Sequence, residues 1–354
     1  MKSLRKRILA VATVLGAAVA VISLVYGRPA GQSEEPVYTK YLFAMDTYFI
    51  LSAYGPEAEQ ALAQCEEKVQ ALEAAFSVTK NDSDVARINA GKSVAVSEDT
   101  FLLVQEALKL CEETGGALDI TLYPVLQAWG FTTDAYRIPD GQEIEALLEK
   151  VDYKGVIADE ADLSIQVPEG AELDLGAVAK GYTGDHLLEI LRENGVTSAM
   201  LDLGGNVQVL GSKPDGSPWK VAVRNPFNVT GESSYVREIG VLEVVDKCVI
   251  TSGSYERYFE KNGEKYWHIL DPVDGYPADS GLVSVTVVGD SGVRCDGLST
   301  ALFVMGKDEA VNFWRQANDF EMILVTEDGT LYITEGLEES FVCSEGWNAE
   351  IIGR

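Results

Sequence analysis

The sequence predicts an α+β fold. Strand and helix patterns follow one another without the regular alternation of βαβ units, which favours α+β over a regularly alternating parallel sheet. The chain has 354 residues, of which 46% are hydrophobic, so it can bury a large core. Composition alone leaves one large domain or two smaller ones open, and no repeat, low-complexity tract or strong boundary interrupts residues 38–345.

The N-terminus carries a basic cluster and then a long uncharged segment. Residues 1–7 read MKSLRKR, and residues 8–26 form a run of 19 residues without a charge. Such a run can cross a bilayer as a helix, and the preceding basic residues favour keeping that end in the cytoplasm. We therefore predict a signal anchor over residues 1–28, a flexible linker over residues 29–37 and a folded domain over residues 38–345.

This anchor predicts a single-pass protein at the extracytoplasmic face of the cell membrane. A signal peptide cleaved after Ala18-Val-Ala20 is the competing interpretation, although its apolar region is usually shorter. No cysteine closely follows the apolar run, so a lipobox lipoprotein is not predicted.

Charge and cysteine usage exclude two classes of partner or site. The chain has a formal net charge of −28, with 56 acidic residues against 28 basic ones, so nucleic acid is a poor partner. The five cysteines show no CxxC spacing, which predicts neither a zinc site nor a full disulfide framework and leaves one or two bridges open.

Four helices are predicted in the first part of the domain, after a strand over the alternating residues 41–53. Apolar residues recur at steps of three and four over residues 62–76, which indicates an amphipathic helix. A second helix begins after the N-cap Ser97 and stops at Gly115-Gly116. The other two are a short helix over residues 144–151 and a longer one over residues 178–194, ended by Gly195.

Later segments alternate between strands and helices. A strand over residues 199–203 leads into Gly204-Gly205, and helices are expected over residues 296–305 and 308–317. Residues 322–326 and 331–334 form a hairpin around Asp328-Gly329. Further strands are predicted over residues 219–224, 236–245, 249–252, 266–270 and 282–288.

Only two histidines occur, His186 and His268. His186 lies on a charged stretch of a predicted helix and is interpreted as an exposed helical residue. His268 stands where a predicted strand ends in a turn containing Pro272 and Gly275, and binding or catalytic groups concentrate on such loops. A strand-end histidine without a function is the alternative at that position.

Asp296, Ser299 and Thr300 stand at positions i, i+3 and i+4 and therefore share one helix face. Hard oxygen ligands of this kind suit Mg²⁺, which takes one or two carboxylates and completes its shell with phosphate oxygens or water. Spacing alone favours a different interpretation, in which Asp296 is a helix N-cap and the small residues pack into the core.

Residues 173–182 read LDLGAVAKGY and place Asp174 and Lys180 around a glycine turn that opens a helix. Helix N-termini attract phosphate, and a lysine adds positive charge there. The spacing matches neither the P-loop nor the dinucleotide-binding fingerprint. Gly204-Gly205-Asn206 is interpreted either as a turn that admits a ligand or as a tight turn only.

Together these stretches resemble the ApbE family, the FAD:protein FMN transferases formerly described as thiamine-biosynthesis lipoproteins. Residues 43–47, FAMDT, are similar to the family's opening MGT motif, and residues 116–131 are similar to its GAFDIT…P…WGF block. The remaining similar blocks follow in the family's order at residues 76–89, 173–182, 202–206, 251–253, 268–272 and 296–300.

The resemblance implies a single ApbE-like domain, related to the T-fold, that binds FAD as substrate in a cleft between two lobes and uses Mg²⁺. Asp46, Thr79 and Leu118 depart from the family pattern, and Thr79 takes the place of an aromatic residue that stacks on the flavin in many members. By the resemblance, FAD would be bound at Met45, Thr79, Ala117, Leu118, Asp119, Asp174, Lys180, His268 and Ile269. The Mg²⁺ ligands would be the Ala177 carbonyl, Asp296, Ser299 and Thr300, and the catalytic residues His268 and Asp296.

The implied reaction attaches FMN from FAD to a Ser or Thr of another protein through a phosphoester bond and releases AMP. The family's acceptors carry a motif like D-x-x-[ST]-G-A-T, typically in subunits of sodium-pumping or Rnf-type electron-transport complexes. Two alternatives remain from a different class of activity: a metal-dependent FAD pyrophosphatase and a non-catalytic extracytoplasmic flavin-binding protein.

Overall fold

The computed structural model describes residues 35–91, 93–133, 135–227 and 237–354. The predicted anchor over residues 1–28 and residues 29–34 of the predicted linker lie outside these ranges. Within them, no helix combines the length and the apolar character that a membrane span requires.

The described residues contain seventeen strands, seven α-helices and two short 3-10 helices. The helices are α1 (Ala58–Phe76), α2 (Asp84–Asn89), α3 (Glu98–Glu113), α4 (Tyr123–Trp129), α5 (Gly141–Leu148), α6 (Ala179–Glu193) and α7 (Gly292–Gln316). The strands are β1 (Val37–Ala44), β2 (Thr47–Tyr54), β3 (Val94–Ala95), β4 (Ile157–Asp159), β5 (Ser164–Gln166), β6 (Ala199–Leu203), β7 (Asn206–Leu210), β8 (Trp219–Arg224), β9 (Glu238–Val244), β10 (Cys248–Gly253), β11 (Tyr258–Lys261), β12 (Glu264–Trp267), β13 (Leu282–Gly289), β14 (Phe320–Thr326), β15 (Leu331–Thr334), β16 (Phe341–Cys343) and β17 (Ala349–Ile352).

A nine-stranded sheet with the order β1-β2-β6-β7-β10-β13-β14-β15-β17 forms the centre of the molecule. Helices α1, α6 and α7 bury their apolar faces on one side of it. The three-stranded sheet β16-β9-β8 packs on the other side. The predicted α+β class is confirmed, because antiparallel strands dominate the sheet and the helices gather on one face.

The folded unit extends past the predicted bounds of residues 38–345 at both ends. Val37 already pairs with Tyr54 in the first hairpin, and β17 pairs in parallel with β15. A four-residue strand such as β17 leaves too short a pattern to be recognised in the sequence. The five cysteines are free thiols, and four of them are buried.

The strand predicted over residues 41–53 is wrong, because a tight turn divides it into β1 and β2. Met45 and Asp46 form the turn with φ values of 48° and 60°, the left-handed conformation that two-residue hairpins require. Such turns usually carry Asn-Gly or Asp-Gly, so Met-Asp gave no turn signal. Since non-glycine residues rarely adopt this conformation, the turn is a strained backbone site.

The long C-terminal helix starts one turn earlier than predicted. Ser291 is its N-cap and accepts from the Arg294 N–H, while a break at Gly306, with φ 76° and ψ 170°, separates its two halves as expected. Asp296 therefore lies inside the helix, and its interpretation as the N-cap is wrong. Two strands have other bounds than predicted. The strand predicted over residues 266–270 ends at Trp267, and the strand predicted over residues 236–245 spans Glu238–Val244. Residue 236 lies outside the described ranges.

Helices α6 and α7 cross in close contact through glycines. A Cβ atom on Gly181 would stand 2.2 Å from the Gly292 carbonyl oxygen, and one on Gly292 would stand 2.5 Å from the Gly181 carbonyl oxygen. Two carboxylates join the helix ends across this contact: Asp296 Oδ2 accepts from the Gly181 N–H at 2.8 Å, and Asp185 Oδ1 accepts from the Gly292 N–H at 2.7 Å. The crossing therefore fixes where Asp296 stands.

We expect Gly181→Ala to destabilise the protein by about 2–3 kcal/mol, because the added methyl group meets backbone atoms that cannot move aside cheaply. Chemical denaturation measures the change in the free energy of unfolding. Gly141→Ala is the matched control, since a Cβ there has only the Tyr276 hydroxyl at 3.8 Å. Equal unfolding midpoints for the two variants would contradict the close crossing.

Candidate active site

A cavity of about 390 Å³ opens beside the crossing of α6 and α7. It is bounded by the β1–β2 turn, the segment after α1, the loop before α4, the loop that precedes α6, the end of β10, the segment after β12 and the second turn of α7. Twelve of the thirteen predicted site residues line it: Met45, Thr79, Ala117, Leu118, Asp119, Asp174, Ala177, Lys180, His268, Ile269, Asp296 and Thr300.

Ser299 is the predicted residue that does not line the cavity. Its side chain is fully buried, its hydroxyl donates to the Asp296 carbonyl oxygen at 2.8 Å, and Ser252 Oγ stands 2.7 Å from it. Ser252 Oγ also stands 3.3 Å from Thr300 Oγ1. In this arrangement Ser299 lies behind the cavity wall, whereas Thr300 lines the cavity.

The loop before α4 supplies Ala117, Leu118 and Asp119. Leu118 is buried in the core. Asp119 Oδ1 accepts from the Thr121 N–H at 2.8 Å and from the Thr121 hydroxyl at 2.6 Å. Burial raises the pKa of Asp119, and these hydrogen bonds oppose the increase. The loop is therefore held in place by its own carboxylate.

The loop before α6 holds Asp174 next to Lys180. The Asp174 N–H donates to the Ile120 carbonyl at 2.8 Å, and Asp174 Oδ1 accepts from the Gly176 N–H at 2.7 Å. Burial raises the pKa of Asp174, while the Gly176 N–H and the charges of Arg257 and Lys180 lower it. These two cations give this part of the cavity the positive charge that phosphate groups require.

The donors around Asp296 fit a magnesium ion. Asp296 is 5% exposed, and burial raises the pKa of its carboxylate while the Lys180 charge and the Gly181 N–H oppose the increase. Thr300 and Ala177, which carry a hydroxyl and a backbone carbonyl oxygen, line the same cavity. Among the described residues no group of three or more His, Cys, Asp or Glu side chains could hold a metal ion. One carboxylate with hydroxyl, carbonyl and phosphate oxygens is a set that Mg²⁺ accepts.

The β11–β12 hairpin fixes the orientation of His268. Tyr258 pairs with Trp267, so the next residues, Arg257 and His268, stand opposite each other. The Arg257 carbonyl accepts from the His268 N–H at 3.1 Å and stands 3.1 Å from Nδ1. Because a carbonyl only accepts, Nδ1 carries the proton and Nε2 of the neutral ring is left as the acceptor.

Burial lowers the pKa of His268 to about 4. The hydrogen bond to the Arg257 carbonyl raises this pKa, and the positive charges of Arg257 and Lys180 lower it further. The ring packs on Phe131 at 6.4 Å between centroids, and Phe131 packs on Trp129 and Phe259. His268 is therefore a neutral imidazole on a rigid aromatic support. The other histidine, His186, is only partly buried and packs on Tyr182 at 4.4 Å.

Cavity residues that the sequence interpretation did not assign to the site include Lys80, Glu256 and Arg257. Glu256 and Arg257 closely follow the block at residues 251–253, so the paired charges at a strand end were an available signal. Desolvation by the surrounding cavity walls raises the pKa of Glu256 although the residue is solvent-exposed, and the charges of Lys180 and Arg224 oppose the increase. Lys80 gave no comparable signal, since it is a common residue in a loop. Asn206, from the glycine turn for which one interpretation was a turn that admits a ligand, also lines the cavity.

Fold and cavity together define an α+β protein with a cleft in which a buried carboxylate, two cations and a neutral histidine meet. The family model of the ApbE family matches residues 45–324. This chain belongs to the ApbE family.

Relatives of known name agree with this assignment. An FAD:protein FMN transferase from Klebsiella pneumoniae (strain 342) is 33% identical over 306 residues, covering 85% of this chain and 93% of the relative. An FAD:protein FMN transferase from Treponema pallidum (strain Nichols) is 30% identical over 333 residues, covering 88% of this chain and 90% of the relative.

Solved structures are similar over almost their whole length. The crystal structure of the ApbE protein from Thermotoga maritima has a TM-score of 0.80 at 32% identity and covers 86% of this chain and 99% of its own. The apo flavinyl transferase ApbE from Pseudomonas stutzeri has a TM-score of 0.78 at 28% identity and covers 89% and 99%. The resemblance seen in the sequence motifs is thus confirmed at the level of family and fold.

Proposed function

We propose that this chain is an FAD:protein FMN transferase that moves FMN from FAD to a Ser or Thr hydroxyl of an acceptor protein. The observation that carries the proposal is the gathering of twelve predicted site residues, from six separate segments, around one cavity. The cavity is then the flavin cleft of the family, with the flavin ring toward Thr79 and Leu118 and the pyrophosphate toward Lys180 and Asp296. The names of the relatives support the reaction class.

The reaction replaces the phosphoanhydride bond between FMN and AMP with a phosphoester bond between FMN and the acceptor. The acceptor oxygen forms a bond to the FMN phosphorus, the bond from that phosphorus to the bridging oxygen breaks, and AMP leaves with that oxygen. Lys180 and Arg257 would bind the pyrophosphate and offset the charge that develops on the transferring group. Asp296, Thr300 and the Ala177 carbonyl would hold Mg²⁺, which supplies Lewis-acid stabilisation of phosphate oxygens.

His268 has the arrangement of a general base. Its Nδ1 proton is fixed on the Arg257 carbonyl, so Nε2 can take the proton that the acceptor hydroxyl loses. The low pKa keeps the ring neutral at physiological pH. Arg257 would therefore have two roles: its guanidinium would bind a phosphate group, and its carbonyl would hold the proton of His268 on Nδ1.

Three further parts of the proposal concern the cell. Residues 1–28 would anchor the protein in the membrane, with residues 29–36 as the tether and the folded domain on the extracytoplasmic face. The acceptor would carry a motif like D-x-x-[ST]-G-A-T in a membrane electron-transport subunit. The uncharged run of 19 residues after the basic cluster supports the anchor, and membrane fractionation followed by protease treatment of intact cells tests it.

One assay separates the three candidate activities. The domain is incubated with FAD, Mg²⁺ and an acceptor domain, and in-gel flavin fluorescence and AMP are measured. A fluorescent acceptor with AMP supports transfer, and AMP without labelling supports the pyrophosphatase. If FAD binds and neither product forms, both enzyme assignments are wrong and the flavin-binding protein remains.

Thr79→Tyr is expected to tighten FAD binding about 3- to 10-fold, because an aromatic platform adds roughly 0.5–1.5 kcal/mol beyond its buried area. Thr79 is an exposed residue on the cavity wall, so a larger side chain has space. Quenching of flavin fluorescence measures the Kd. Adenosine affinity serves as the control and should not change, and an unaltered FAD affinity would show that the flavin ring does not lie against Thr79.

A further inference from the structure

The first hairpin of the nine-stranded sheet exposes an aromatic face. Strand β1 is the edge strand of that sheet, and on the outer side of the hairpin Phe43 stands opposite Tyr48 and Tyr41 stands opposite Ile50. These four residues form the hairpin face. Phe43, Tyr48 and Tyr41 are 64%, 52% and 73% exposed, and the rings of Phe43 and Tyr48 meet edge to face at 5.1 Å between centroids. Because contiguous apolar patches mark interaction sites, this face is a candidate docking surface.

The hairpin face ends at the rim of the cavity. Asp46, in the turn between β1 and β2, lines the cavity. On the neighbouring strand β6, Leu203 pairs with Phe49, so the next residues, Gly204 and Tyr48, lie side by side. Gly204 also lines the cavity. The aromatic face and the rim of the active site are therefore one continuous surface.

This rim borders the place where the acceptor reacts. Asp46, Gly204 and Glu256 are exposed lining residues, whereas Lys180 and His268 are partly buried. In the proposed reaction the acceptor oxygen attacks a phosphorus atom bound near Lys180, and His268 takes the proton. An acceptor protein that delivers a hydroxyl group there must lie against this rim. A second copy of the chain or a lipid surface on the hairpin face would obstruct that approach, which favours the acceptor as the occupant.

We propose that the hairpin face is the docking surface for the acceptor protein, which covers Phe43 and Tyr48 with an apolar surface that flanks its modified Ser or Thr. Aromatic side chains are enriched among the residues that carry most of the binding energy at interfaces. An uncharged contact also suits a chain with a formal net charge of −28, because apolar burial does not depend on the sign of the partner's charge. The inference rests on the proposed function, which supplies the partner and the direction of its approach.

The test compares the wild-type full chain with Phe43→Thr, Tyr48→Thr and the double variant. FMN transfer is measured with an acceptor domain that carries a D-x-x-[ST]-G-A-T-like motif. Threonine removes the ring and keeps the β-propensity of the strand. We expect the double variant to raise the KM for the acceptor domain about 10- to 100-fold, the scale on which loss of aromatic anchors acts, and each single variant to raise it less. The Kd for FAD and the kcat at saturating acceptor should stay the same.

Val342→Thr is the matched control, because Val342 is 61% exposed on β16, which belongs to a separate sheet. Circular dichroism verifies that each variant is folded. An unchanged acceptor KM in the folded double variant overturns the proposal. An equal loss of FAD affinity, which indicates a displaced β1–β2 turn, also overturns it, and so does an equal rise in KM for Val342→Thr.

Light scattering and two lipid environments test the other occupants. A dimer that dissociates in the double variant while the acceptor KM is unchanged would assign the face to a second copy of the chain. A rise in KM that occurs in phosphatidylcholine vesicles but not in detergent would assign it to lipid, and either outcome overturns the proposal. Isothermal titration measures acceptor binding without turnover. If the acceptor binds through Phe43 and Tyr48 but is never labelled, the proposed function fails while the docking surface stands.

Discussion

Asp296→Asn is expected to reduce Mg²⁺-dependent FMN transfer by a factor on the order of 1,000, the scale on which removal of one electrostatic stabiliser acts. Asparagine keeps an oxygen that can accept the Gly181 N–H, so the link between α6 and α7 is preserved. What it removes is the negative charge, and with it most of the affinity for a divalent cation. Flavin fluorescence of the acceptor measures the loss.

A second measurement separates metal binding from folding in this variant. Mn²⁺ binding followed by electron paramagnetic resonance should weaken, while the thermal midpoint stays within a few degrees of the wild-type value. Asp290→Asn is the control, since Asp290 is an exposed residue paired with Lys247. Unchanged Mg²⁺-dependent turnover in Asp296→Asn would refute the assignment of Asp296 as a metal ligand.

Substitution of His268 should reduce the transfer rate about 100- to 10,000-fold, the usual contribution of a positioned general base. Two variants test the roles of the two ring nitrogens separately. His268→Asn can donate to the Arg257 carbonyl as Nδ1 does but has no atom at Nε2, whereas His268→Gln places an amide near Nε2 that cannot take a proton. We expect both to lose kcat while the KM for FAD changes little.

The outcome for His268→Asn decides whether the histidine is a base. Nearly full activity in that variant would mean that the contact with Arg257 is the whole role of the side chain, and the catalytic assignment would be wrong. Phe131→Leu is a useful companion, since it loosens the ring packing without removing the imidazole, and it should cost less than either substitution.

The pH dependence of kcat/KM follows from the lowered pKa of His268. A base must be neutral to act, and burial lowers the pKa of this ring to about 4, so kcat/KM should be level from pH 8 to about pH 5 and fall as the pH drops through about 4.

The lowered pKa of His268 also affects the free energy of unfolding. The contribution of His268 to stability is fully present above the unfolded pKa of about 6.5 and is lost as the pH falls toward 4. Circular dichroism at each pH separates the two effects, and an acid limb centred near 6.5 would contradict a buried neutral ring.

The order of motifs along the chain was sufficient to predict the family and most of the cavity. Helix α3 behind its Ser97 cap, helix α6 before Gly195 and the hairpin around Gly329 were all predicted, because caps, glycine stops and turns depend on neighbouring residues. The Met45-Asp46 turn was not, since the positive φ values there are imposed by the pairing of β1 with β2 against the sheet.

What the sequence by itself determined was the residue types of the site and the local segments that carry them. Only the tertiary structure decided where these residues lie. Asp296 lies inside α7 rather than at a helix cap, and Ser299 lies behind the cavity wall. Arg257 and Asn206 line the cavity. The physical reason is that these placements depend on contacts between residues far apart in the chain. The glycine crossing of α6 and α7 and the register of the β11–β12 hairpin are set by packing and pairing, which no local pattern records.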